Sequence, residues 1–135
     1  MSKAPLTTST SMGPRILLGL AALVTLFFVR ALQPGTAGVA IFLGFWLLLP
    51  YVVLAAALEL SAHKPTAIAD VVTMCLVAGG GLAFLTLVIF VNPDPQGGIA
   101  VFLTPIYQGI TMMILFPLLR SALRKYRHHL RHRLR

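Results

Sequence analysis

Residues 16–29, 31–58, 71–93 and 95–119 carry no charged side chain, and the spacing of these four apolar runs constrains the fold more than any other feature of the chain. About 20 apolar residues carry a helix across a hydrocarbon core of ~30 Å. In that medium a helix is favoured because it satisfies its own backbone hydrogen bonds. The runs therefore predict four membrane-spanning helices, over about 14–32, 38–62, 67–91 and 98–121. Composition agrees: 58% hydrophobic and 10% charged residues, with a mean hydropathy of +0.89, leave too little polar surface to coat a water-soluble ball. Helix breakers cluster at the expected joints, Gln33-Pro34-Gly35, Lys64-Pro65 and the run from Asn92 to Gly98. Residues 1–135 read as a single membrane domain, an all-α four-transmembrane-helix bundle. Lys3 and Arg15 precede a first run of signal-like length, but no A-x-A-like site follows it, so an uncleaved first helix is expected.

The second half of the chain repeats the first. A shift of 61 superposes Gly19 on Gly80, Ala22 on Ala83, Thr25 on Thr86 and Pro34 on Pro95. After one residue is dropped, a shift of 60 matches Gly38 with Gly98, Phe42 with Phe102, Leu58 with Leu118 and Ser61 with Ser121. Two parallel-repeated helical hairpins are expected, about 7–64 and 67–124, followed by a basic tail over 120–135. Hairpins that both start on one side of the membrane imply a pseudo-two-fold axis along the membrane normal, a repeat type that some carriers use and that suits a scaffold equally well.

Eleven Lys and Arg oppose three acids, and seven of the eleven lie in residues 120–135. Lys3, Arg15 and Lys64 fall on the same side of a four-span chain as that tail, so the positive-inside rule puts both termini in the cytoplasm of a bacterial inner membrane protein. Arg30 stands on the opposite side, where Asp94 in the outer loop is its expected partner. Cys75 is the single cysteine, which excludes an intramolecular disulfide.

Helices associate in lipid where small residues let backbones approach. The candidate seams are Gly79-Gly80-Gly81 with Ala83, Ala55-Ala56-Ala57 with Ser61, and Gly19 with Ala22; the third helix is expected at the centre. Pro50, Pro105 and Pro117 each remove a backbone donor and bend their helices. Thr104, Tyr107 and Gln108 form the most polar group within any span. Gln108 is costly in lipid unless it faces another helix or water, which suggests either an interhelical hydrogen bond or a ligand contact in an outward groove. Glu59 has Arg15, Lys64, Arg120 and Arg124 as possible partners and His63 four residues along its face, so an ion pair and a proton relay are both open. Asp70 and Thr66 read as caps on the positive end of the third helix.

In the tail, Leu119, Leu123, Tyr126, Leu130 and Leu134 recur at helical spacing, so a basic C-terminal helical extension is expected. Its cations, Arg120, Arg124, Lys125, Arg127, Arg131, Arg133 and Arg135, suit anionic headgroups of the lipid bilayer or an acidic partner. Without an aromatic platform or a nucleic-acid-binding fold, the charge does not point to nucleic acid. His128, His129 and His132 lack a further ligand, so no metal site is expected, and no catalytic set or cofactor motif is present. Asp94-Pro95-Gln96-Gly97-Gly98 followed by Pro105-Ile106-Tyr107-Gln108 resembles a stretch of uncharacterised small four-helix bacterial inner-membrane proteins, a resemblance that brings the architecture and no activity. The expected function is non-enzymatic: a scaffold, assembly factor or accessory subunit, or else a small oligomeric channel, holin-like pore or transporter. Arg30, Glu59, His63, Asp94, Tyr107 and Gln108 are the candidate contacts.

Overall fold

The computed structural model describes residues 12–61, 67–93 and 96–133, all of them in helices or short connections. Helix α1 spans Met12–Ala31, α2 Ala37–Ser61, α3 Ala67–Thr86 and α4 Gly97–Arg133. All four are long and apolar enough to cross a membrane, with α3 extended to Val91 by a π-helical turn over Leu87–Val91. That wider turn closes with the Asn92 amide donating to the Leu87 carbonyl at 2.9 Å. The expected ends of the first three spans fall within two residues of those observed, and α4 starts within one residue of its expected position and continues to Arg133. Gln33, at φ +47°, reverses the chain after α1 ahead of Pro34, and the Thr36 hydroxyl accepts the Val39 amide at 3.3 Å to cap α2.

Each helix buries one stripe. In α2 the buried residues Gly44, Leu47, Tyr51, Leu54 and Ser61 follow the three-and-four spacing of a helix seam. Leu18, Ala21, Thr25 and Phe28 do the same in α1. Two apolar clusters result. Leu18, Tyr51, Leu54, Met74, Val77 and Met112 form the first, while Phe28, Leu47, Leu85 and Val101 form the second. Near the second, Trp46 of α2 stacks on Phe102 of α4 with ring centroids 5.2 Å apart and donates its indole N–H to the Phe102 carbonyl at 2.7 Å.

The packing departs from three expectations. In the Gly79-Gly80-Gly81 seam only Gly81 lies under a neighbour; a Cβ on Gly79 or Gly80 would meet nothing within 4 Å. Ala55 and Ala56 face outward, so α2 packs through its Leu47–Leu54 stripe and not through its alanine run. Finally, a two-fold axis along the membrane normal would make α1–α4 packing the equivalent of α2–α3 packing. Instead α2 and α3 each pack on every other helix, while α1 and α4 sit at outer corners and form no comparable contact. The hairpins lie side by side.

Candidate functional site

Two ion pairs close the bundle at the end where α1 begins and α2 finishes. Arg15 of α1 meets Glu59 of α2, with Nη2 at 2.9 Å from the carboxylate, and both side chains are about half exposed. Asp70 of α3 meets Arg120 of α4 in a two-pronged contact, Nε donating to Oδ1 at 2.8 Å and Nη2 to Oδ2 at 3.0 Å. This fork geometry is the strong form of the interaction. The Asp70 carboxylate is wholly buried, and Arg120 also donates to the buried Ser61 hydroxyl at 3.3 Å while its guanidinium lies 5.2 Å from the Phe116 ring centroid. Asp70 stands in the first turn of α3 as expected, and its carboxylate is also held by Arg120, which the sequence groups with the cations for headgroups. Ser61, expected at a small-residue seam, is buried, and its hydroxyl also ties α2 to the second hairpin.

Halfway along the helices a polar thread crosses the bundle. The Thr25 hydroxyl on α1 lies 2.9 Å from the Ala21 carbonyl and 2.8 Å from the Tyr51 hydroxyl on α2. A hydroxyl has one hydrogen, so Thr25 donates to the carbonyl and accepts from Tyr51. The Tyr51 hydroxyl lies beside Gln108 of α4, whose amide donates to the Val77 carbonyl of α3 at 3.2 Å. Thr25, Tyr51 and Gln108 are all buried. One group from each helix takes part. Gly81 makes room for it, since a Cβ there would collide with the Gln108 amide, 2.7 Å from Cδ.

Tyr107 and Gln108 are neighbours in sequence that separate in space. Gln108 points inward, whereas Tyr107 is exposed and meets Phe84 edge-on at 6.4 Å. They still border one open groove of about 370 Å³ between α3 and α4, walled by Gly80, Gly81, Phe84 and Thr104. Arg30 is exposed at the far end of α1, and its expected partner Asp94 lies outside the described residues, as do His63 and Arg135. The Glu59–His63 relay therefore has only its Glu59 side on view, and that carboxylate is held by Arg15. Arg124, Lys125 and Arg127 are exposed on α4, and Arg131 and Arg133 continue the same helix. Among the described residues no three His, Cys, Asp or Glu side chains come together in a metal-binding set.

Sequence reasoning missed Thr25 and Tyr51. Their signal was present, because a tyrosine and a threonine on the inward stripes of adjacent spans need partners in lipid. Comparison with protein-family models, curated proteins and solved structures finds no match to this chain.

Proposed function

We propose that the chain is a non-enzymatic integral protein of a bacterial inner membrane that acts by lateral contact, as a scaffold, assembly factor or accessory subunit of a membrane complex. The observation that carries this reading is the internal use of polar groups. Among the described residues, no buried side-chain nitrogen or oxygen lacks a hydrogen-bond partner. Thr73, Thr86, Thr104 and Thr111 each donate to the carbonyl four residues back, and Gln108 and Tyr51 are spent in the thread. A bundle closed in this way presents its surroundings with an apolar exterior, from Leu17 and Phe27 on α1 to Ile114 on α4.

Both termini belong in the cytoplasm on this reading, since Arg15, Arg120, Arg124, Lys125 and Arg127 gather at one end and Arg30 stands at the other. On this reading the two hairpins are repeats of one unit, and the continuation of α4 past Arg120 as an exposed basic helix suits anionic headgroups or an acidic partner surface. Purification of the tagged full-length protein in mild detergent tests the proposal: a stoichiometric different membrane protein supports it. The competing reading is a small oligomeric channel, holin-like pore or transporter, favoured by the Gln108-bordered groove between α3 and α4. A pure homo-oligomer that passes ions or solutes in liposomes would sink the scaffold reading in its favour.

A further inference from the structure

A second groove, of about 380 Å³, opens sideways between α1 and α2. Its concavity comes from small residues: Gly19 and Ala22 on one wall and Ala55 on the other. Its walls are apolar from Leu48 down to Leu58, and at one end it finishes at the Arg15–Glu59 pair. From Leu48 to Glu59 helix α2 rises about 16 Å, close to the depth of one leaflet in a hydrocarbon core of ~30 Å. The groove therefore runs from mid-membrane to the headgroup level, with one cation and one anion at its mouth.

We propose that this groove binds a zwitterionic glycerophospholipid whose headgroup ends in a primary ammonium, with an acyl chain along Gly19, Ala22 and Ala55, the phosphate on Arg15 and the ammonium on Glu59. Charge complementarity selects this occupant. An anionic headgroup satisfies Arg15 and is repelled by Glu59. A quaternary ammonium has no N–H to donate to the Glu59 carboxylate, whereas a primary ammonium has three. The side chains of Arg15 and Glu59 remain 51% and 58% exposed, so both heads are open to the headgroup layer. An exposed pair of this kind contributes little to folding, so exchanging it for two charge-assisted contacts with one lipid is not opposed by lost stability. The site is independent of whether the protein's other contacts are with a different subunit or with copies of itself.

The test is retention of added lipid by the purified full-length protein in detergent, read by native mass spectrometry, for phosphoethanolamine, phosphocholine and phosphoglycerol lipids of identical acyl chains. The phosphoethanolamine lipid is expected to bind on the order of tenfold tighter than the phosphocholine one, with affinity falling stepwise as its nitrogen is methylated one to three times. Glu59→Gln erases that preference, and Ala55→Leu, which fills the groove, weakens all three lipids alike. The methylation series needs only the unmutated protein, so it stands even if a variant fails to fold. Equal retention of the three headgroups, a preference for phosphoglycerol, no retention at all, or a folded Glu59→Gln protein that keeps the preference would each overturn the proposal.

Discussion

Gly81 is a glycine because the Gln108 amide occupies the volume its side chain would take. Gly81→Ala is expected to destabilise the bundle by about 1–3 kcal/mol through overpacking, measured by denaturant unfolding in detergent. The same change in a Gln108→Ala background, where the amide is gone, should cost only a few tenths of a kcal/mol. An undiminished cost would mean that the close approach is not the cause. Gln108→Leu by itself removes the link to the Val77 carbonyl and should cost about 0.6–1.7 kcal/mol, the range for polar contacts between helices in lipid. The sequence marked Gln108 as a group needing a partner but did not say where. Adjacent helical residues point about 100° apart, so the Tyr107–Gln108 pair that read as one polar group faces two different surroundings.

Between elements, the two ion pairs give opposite forecasts from the same chemistry. Breaking the Asp70–Arg120 clasp leaves a charge without its partner in a buried setting, which costs about 3–5 kcal/mol when both groups are fully buried. Arg120 keeps 37% of its side chain exposed and can turn toward water, so Asp70→Asn should fall nearer 2 kcal/mol, an order-of-magnitude figure discounted for that exposure. Glu59→Gln at the exposed pair should cost less than about 0.5 kcal/mol in the same unfolding assay. Equal losses would show that burial does not separate them. Helix positions were legible because apolar length and Pro-Gly joints report them directly. The seams were not, because lipid is as apolar as the interior and the outward face of α2 reads like its inward one. The alanine run of α2 and the first two residues of the triple glycine were misread for that reason. The Asp70–Arg120 pairing joins residues 50 apart in sequence and has no local signature.

Across the whole molecule, four spans predict that the α1 start and the basic end of α4 share one side of the membrane, with the α3–α4 connection on the other. Single cysteines at Met12, Gln96 and Arg127, in a Cys75→Ala background, should react with a membrane-impermeant maleimide from one side for positions 12 and 127 and from the opposite side for position 96. Labelling of all three from one side would refute four spans. The side-by-side order of the hairpins is equally a property of the assembly. Apolar runs count helices but do not say which corners they occupy, and the α2–α3 diagonal emerges only from packing.

The two clasps differ in polarity: the first hairpin carries its base on the leading helix, Arg15, and its acid on the trailing one, whereas the second leads with the acid, Asp70. Each hairpin thus neutralises its own pair of charges before the other is needed. In chain order α1 and α2 bring a matched pair of charges together, whereas Asp70 of α3 meets Arg120 only once α4 has been made. A nascent chain halted after α3 is expected to stay cross-linked to the insertion machinery until α4 arrives, and early release of α3 would show that it enters the bilayer alone.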